Sequence, residues 1–219
     1  KEGLKNLSLT EVHLPKGIEA QLRPYQLTGF QWLNILQELG LGGCLADDMG
    51  LGKTLQALAV LADSQDKKSI LHIEKTSGPG QQLDLFGNQN IIGEVEAVTS
   101  LIVMPLSLVW NWENEIRKFA PRLRVYKHIG VGRITNPEDF YRYDIILTTY
   151  GIVRNDLELL KKCEFRYVIL DESQMIKNPF SKIFRAVRQL HSRYRLVLTG
   201  TPIENSLTDL WAQMTFLNE

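Results

Sequence analysis

The chain has 219 residues, 25 of them Lys or Arg and 25 Asp or Glu, so its formal net charge is zero, and 44% are apolar. That is the composition of an ordinary globular chain able to bury a sizeable core, and it excludes a histone-like protein that binds nucleic acid through bulk charge. Apolar runs such as Leu101–Met104 fall far short of the ~20 residues a membrane helix needs.

Along the chain, Leu22, Tyr25, Phe30, Leu33, Leu36 and Leu39 recur at mostly three- and four-residue spacings, which predicts an amphipathic helix ended by Gly40 and Gly42-Gly43. Cys44-Leu45-Ala46 follows as a short strand, then a turn with Gly50 and Gly52, then a helix over 54–62. From 64 to 100 the pattern dissolves into polar, Gly- and Gln-containing sequence, read as a surface insertion with weak strand signals near Ile70–Ile73 and Ile91–Val98. Strand and helix then alternate: strands at 101–104, 124–128, 144–148, 167–170 and 196–198, with helices over 106–119 and 151–162. This rhythm predicts an α/β fold with a mainly parallel central sheet and helices on both faces. Cys44 and Cys163 read as reduced core thiols. His13, His72, His128 and His191 show no metal-ligand spacing. The start at Lys1, without Met or an apolar signal core, reads as an internal piece with no targeting peptide.

Two stretches carry chemistry. Ala46-Asp47-Asp48-Met49-Gly50-Leu51-Gly52-Lys53-Thr54 stands where a strand hands over to a helix. Glycines there let backbone N–H groups wrap a phosphate, the helix N-terminus adds positive potential, Lys53 adds a full charge and Thr54 offers a hydroxyl to Mg2+. The general pattern wants Gly at 47, and this chain has Asp47. The second stretch, Val168-Ile169-Leu170-Asp171-Glu172-Ser173-Gln174, is an apolar strand ending in two carboxylates. Asp171 can hold hydrated Mg2+, and Glu172 can orient or deprotonate an attacking water.

Together with Leu22-Arg23-Pro24-Tyr25-Gln26, Trp32-Leu33, Leu101 to Trp112, Thr148-Thr149-Tyr150 and Leu198 to Trp211, these stretches resemble the ordered motifs of the Swi/Snf-type ATPases, DNA translocases of helicase superfamily two. Asp47 is what that family has at its position. The resemblance runs over residues 20 to 219 and implies a RecA-like three-layer fold, the first of two such lobes. Residues 1–20 would be a lead-in, 64–100 an insertion, and the second lobe would lie outside this stretch, which alone should turn over little or nothing.

The resemblance implies ATP and Mg2+ as cofactors. Arg23 and Gln26 would face the nucleotide, with Gln26 reading adenine, and Asp48, Met49, Gly50, Leu51 and Gly52 would form the cradle. Lys53 would take the β/γ-phosphates, Thr54 and Asp171 the Mg2+, and Glu172 would be the base. Thr199, Gly200 and Thr201 would couple nucleotide state to DNA grip, with Gln174 as relay. The family often has His where this chain has Gln174; Gln can bridge by hydrogen bonds but does not charge near neutral pH. Duplex DNA would be held by its backbone at the loop of Pro105 and Ser107 and at Thr148, Thr149 and Tyr150, short polar groups suited to phosphate contacts that position without reading sequence. Taken alone, Thr148 and Thr149 read as plain strand residues, and Trp110 and Trp112 as packing residues of the following helix.

Gln82-Leu83-Asp84-Leu85-Phe86 resembles the pentapeptide by which bacterial proteins bind the sliding clamp; the alternative is that its apolar side chains pin the insertion to the core. Competing readings of the whole are a strand-separating or RNA-directed helicase of the same superfamily, and a non-catalytic clamp-recruitment module. The compartment would be cytoplasmic, at the nucleoid, in a bacterium and nuclear in a eukaryote. The charge balance hides a segregation: residues 105–195 hold 17 basic against 10 acidic residues, in the stretch that carries the expected DNA contacts.

Overall fold

Four of the strands are apolar over most of their length, so neither of their faces can be left in water, and helices must cover both. In the computed structural model, which describes residues 14–48, 50–76, 99–201 and 207–218, six strands form one sheet: β1 (Gly43–Leu45), β2 (Ser100–Met104), β3 (Val125–Lys127), β4 (Ile145–Thr149), β5 (Glu164–Asp171) and β6 (His191–Leu198), in the order β1-β6-β5-β2-β4-β3. Every pairing is parallel. The helices are α1 (Pro24–Glu38), α2 (Lys53–Thr76), α3 (Val109–Phe119), α4 (Tyr150–Asn155), α5 (Leu157–Leu160), α6 (Lys182–Arg188) and α7 (Leu207–Leu217).

Because successive strand residues point to opposite faces, the sheet divides its apolar side chains between two cores. Ile102, Met104, Leu147, Ile169 and Leu196 meet α1, α2 and α3 on one face. Leu101, Val103, Ile146, Val168, Leu170 and Val197 meet α4 to α7 on the other. The result is the three-layer, RecA-like α/β arrangement. No helix among the described residues is long and apolar enough to cross a membrane.

Several boundaries depart from the sequence reading. Helix α2 does not stop near 62 but continues to Thr76, and Ile70–Ile73 is helical rather than strand. Residues 64–76 contain neither Gly nor Pro, so nothing interrupts the helix once nucleated. The expected helix over 151–162 is two short helices that part at Asp156, whose carboxylate receives both Arg133 and His128. Strands β5 and β6 begin earlier than their apolar cores because Arg166 and Arg195 are buried within them. The Arg195 guanidinium donates to the carbonyls of Phe216 and Leu190, each at 2.9 Å. Buried polar groups satisfied in this way break the hydrophobic pattern without breaking the strand. The clamp-like pentapeptide Gln82–Phe86 lies outside the described residues. Cys44 and Cys163 are both free, and burial pushes the Cys163 thiol up to about 11.

The positive excess of 105–195 is also partly internal. Besides the buried Arg166 and Arg195, the paired cations of that stretch include Arg117 and Lys127 with Glu113, Arg124 with Asp144, Arg133 with Asp156, Arg142 with Asp139 and Lys161 with Glu158.

His128, at the end of β3, is fully buried; its Nε2 lies 2.9 Å from Asp156 Oδ2, while Nδ1 is buried without a partner. Since the carboxylate accepts, the neutral ring carries its proton on Nε2. Burial lowers the His128 pKa below its ordinary 6.5, outweighing the pull of Asp156. The unfolded chain therefore takes up this proton first, and stability should fall as pH drops below about 6.5 towards the folded-state pKa. Urea midpoints measured from pH 7.5 to 5.5 check this: His128→Gln should flatten the profile, and an unaltered slope would contradict it.

Candidate functional site

Parallel pairing delivers the ends of five strands to one edge. The register sets Leu45 beside Leu198, Leu198 beside Asp171, Leu170 beside Val103 and Met104 beside Thr149. The turn after β1 and the acidic pair at the end of β5 are thus separated by the single strand β6, about 10 Å at ordinary strand spacing.

The turn is built around two glycines in left-handed conformations, Gly50 at φ +82° and Gly52 at φ +79°. At Gly52 a Cβ would also collide with Gln26 Nε2. Gln26 is buried and joins the start of α1 to this turn: its Oε1 accepts from the Arg23 backbone N–H at 2.9 Å and its Nε2 donates to Leu51 O at 3.0 Å. The Tyr25 hydroxyl donates to the same carbonyl at 3.2 Å. The Arg23 side chain is exposed, as is Asp48, while Met49 lies outside the described residues. Lys53 Nζ donates to the carbonyls of Asp47 and Asp48 at 2.6 and 3.0 Å, which holds the ammonium over the turn. Asp47, the residue that broke the general pattern, accepts from Gln56 Nε2 at 3.0 Å, tying the turn to the first turn of α2. The first helical bond there is Gln56 N–H to Gly52 O, so the preceding N–H groups have no acceptor within the helix and face the turn.

Across β6, Asp171 is buried, with Oδ2 accepting from the Trp112 indole at 2.7 Å and Oδ1 from the Glu172 N–H at 2.9 Å. Burial raises its pKa, with the Trp112 bond acting in the opposite direction. Glu172 adopts φ +50°, the only non-glycine residue with positive φ among those described. This conformation costs of order 1–3 kcal/mol and marks functional positions. It turns the Glu172 carboxylate towards Gln174, whose Nε2 donates to it at 2.7 Å. Gln174 Oε1 and Ser173 Oγ are buried without a partner. Thr199 links the neighbouring strand ends: its N–H donates to Leu45 O at 3.2 Å and its Oγ1 accepts from Thr201 N–H at 3.1 Å, with Gly200 between.

The oxygen donors suit Mg2+, a hard cation that takes one or two carboxylates with substrate phosphates and keeps several waters rather than demanding an all-protein cage. Thr54 and Asp171 are the residues that would hold it.

The side chains of two expected DNA contacts point inward. Thr148 is fully buried and its hydroxyl donates to His128 O at 3.0 Å, while the buried Tyr150 hydroxyl donates to Asp171 O at 2.7 Å. Neither side chain reaches the surface. Thr149 is half-buried and caps α4 by accepting from Ile152 N–H; Pro105 is half-buried and Ser107 exposed. Sequence reasoning found α3 but not its contact with the acidic site. Trp112 packs as expected yet reaches the acidic site, and Glu115, one turn on, is half-buried, with burial raising its pKa. Trp110, expected to pack, is 54% exposed, with Lys127 Nζ 3.9 Å from its ring centre.

The profile of the SNF2-related domain family matches residues 25–219. Over 206 residues the chain is 41% identical to the TATA-binding protein-associated factor MOT1 of Saccharomyces cerevisiae, covering 93% of this chain and 10% of that protein. It is 36% identical to the chromatin-remodeling ATPase INO80 of Sclerotinia sclerotiorum, covering 94% of this chain and 11% of that protein. Among solved structures, the Sulfolobus solfataricus SWI2/SNF2 ATPase core in complex with dsDNA superposes with a TM-score of 0.76 at 44% identity, covering 97% of this chain and 38% of that one.

The strain at Glu172 can be measured. Glu172→Gly should raise stability by about 1 kcal/mol by releasing the left-handed backbone. Chemical denaturation checks it, and a destabilised variant would mean that the carboxylate's contacts outweigh the strain.

Proposed function

We propose a function from one premise: the chain belongs to the SNF2-related domain family. It is the nucleotide-binding lobe of a motor that hydrolyses ATP to move along duplex DNA. The observation that carries the reading is the placement of Lys53, at the glycine turn after β1, and the Asp171-Glu172 pair, at the end of β5, on one sheet edge with one strand between them.

Each residue then has a task that its geometry suits. The Gln26 side chain, with one N–H and one lone pair left after its two bonds to the chain, offers the donor and acceptor that an adenine edge needs. Lys53 exchanges the carbonyls of Asp47 and Asp48 for the β- and γ-phosphate oxygens, and the N–H groups at the start of α2 share that charge. Mg2+, when bound, supplies the neutralisation of phosphate charge that phosphoryl transfer requires. Asp171, held by Trp112 and its own neighbour's N–H, would hold the hydrated cation. Glu172 orients the attacking water and takes its proton, while Gln174 fixes the Glu172 carboxylate. Thr199 to Thr201, bonded to the β1 end, transmits the state of the turn to the DNA-facing loops. The second lobe supplies the opposing wall of the cleft, so this lobe by itself should turn over little.

DNA contact is assigned to the loop of Pro105 and Ser107 and to Thr149, whose hydroxyl hydrogen remains available while its oxygen caps α4. Such groups grip the phosphate backbone without reading bases. The duplex in the Sulfolobus complex supports a double-stranded partner.

Two measurements test this. In the full-length protein, Lys53→Ala should abolish DNA-stimulated phosphate release, and normal hydrolysis by that variant would remove the phosphate-loop assignment. Duplex binding should be insensitive to base sequence and weaken linearly on a log–log plot against salt; affinity independent of salt would argue against backbone contact, and strand displacement in a helicase assay would redirect the reading to a strand-separating enzyme.

A further inference from the structure

The Tyr150 side chain, turned away from the surface, ends on the main chain beside the proposed base. We infer that Tyr150 is a positioning residue for Glu172: its hydroxyl pins the Asp171–Glu172 peptide and ties that peptide to the DNA contact at Thr149. This rests on the reading of the site as a DNA-stimulated ATPase.

Tyr150 opens α4 directly after the last residue of β4, and in the order β5-β2-β4 the strand β2 stands between it and Asp171. The register of β2 with β5 ends at Val103 beside Leu170. Tyr150 closes over the next residue, its hydroxyl donating to Asp171 O at 2.7 Å. The same peptide is held from its other side, because the Glu172 N–H donates to Asp171 Oδ1 at 2.9 Å. That carboxylate is itself fastened through Oδ2 by the Trp112 indole at 2.7 Å. A planar peptide bonded at both its oxygen and its N–H cannot turn about its flanking bonds without losing one of those partners. From this plane Glu172 enters its left-handed conformation, φ +50°, which only its surroundings can impose, and its carboxylate meets Gln174 Nε2 at 2.7 Å. The Tyr150 ring is 3% exposed, in the same core as Val103 and Leu170, so its hydroxyl is not free to swing away. Burial, aided by the charges of Asp171 and Glu172, pushes the Tyr150 pKa well above its ordinary 10, which keeps the hydroxyl a donor near neutral pH.

The other end of the link is Thr149, whose Oγ1 accepts from Ile152 N–H at 3.4 Å and caps the first turn of α4. The residue assigned to a DNA phosphate and the residue that pins the base's peptide are thus consecutive in one capped turn. A phosphate held at Thr149 steadies that turn, and the ring carries the constraint across β2 to Glu172.

The test is steady-state ATP hydrolysis by the full-length protein, titrated with ATP and with duplex DNA. Tyr150→Phe keeps the ring and removes the hydroxyl alone. At saturating ATP and duplex its kcat should fall about 10- to 100-fold, as it does when a reacting group is slightly misplaced, and by more with duplex than without. The ATP KM and the duplex concentration giving half-stimulation should stay at the parent's values. Tyr150→Met, an adaptable apolar side chain that also lacks the hydroxyl, decides the case if Tyr150→Phe does not fold. A kcat equal to the parent's overturns the inference, as does an equal loss with and without duplex, or a loss accompanied by weaker ATP and duplex binding. A parent protein whose hydrolysis does not respond to duplex instead overturns the motor reading beneath it.

Discussion

A parallel strand pair cannot be closed by a tight hairpin. Each return must cross a face of the sheet, and every strand must then end at the same edge. In this chain that constraint does most of the assembly. Leu45, Met104, Thr149, Asp171 and Leu198 are far apart in sequence, yet each is the last residue of its strand and all lie along one edge. The glycine turn, the acidic pair, the capping Thr149 and the Thr199–Thr201 segment need no special recruitment, because each sits at or just past the end of one of those strands. The site is a consequence of the sheet's polarity before any side chain is considered.

What the side chains add is fixity. The two cores hold the sheet from both faces, and the polar groups at the edge are held in turn by residues that belong to those cores. Trp112 fills the α3 face and fastens Asp171; Tyr150 fills the opposite face and donates to the Asp171 carbonyl. A carboxylate taken out of water in this way tolerates little rotation, since each of its bonds would be costly to leave unmade. Glu172, immediately after, is bent into a left-handed conformation that the surrounding packing must impose, because nothing in its own chemistry favours it.

Charge is organised by the same logic. The chain is neutral as a whole, and its most basic stretch owes part of that excess to arginines that work inside the fold. Arg195 ties β6 to the carbonyls around α6 and α7, and Arg133 meets Asp156 at the break between α4 and α5. Those cations stabilise architecture and are unavailable to a polyanion. On the proposed reading, nucleic-acid contact falls on hydroxyls and backbone at the loop ends rather than on a wide positive face.

Local pattern was enough to recover the alternation of strand and helix, the glycine turn before Lys53, and the acidic pair at the end of an apolar strand. Each depends on neighbours within a few residues: left-handed glycines, a run of β-branched and leucine side chains, a helix start. It misplaced the end of α2, because polar composition was read as a loop although no Gly or Pro broke the helix before 76. It also assigned to DNA two side chains, Thr148 and Tyr150, that the sheet buries, since a threonine near a strand end looks the same whether its hydroxyl meets solvent or the His128 carbonyl. The contacts of Trp112 with Asp171 and Gln56 with Asp47 were beyond reach of spacing. Which elements form, and which chemistry-bearing residues end them, was legible in the amino-acid order because those are short-range properties. Which of those residues face one another was settled only by the fold, because strand order and helix docking bring together groups 154 positions apart in the chain, as Leu45 and Thr199 are.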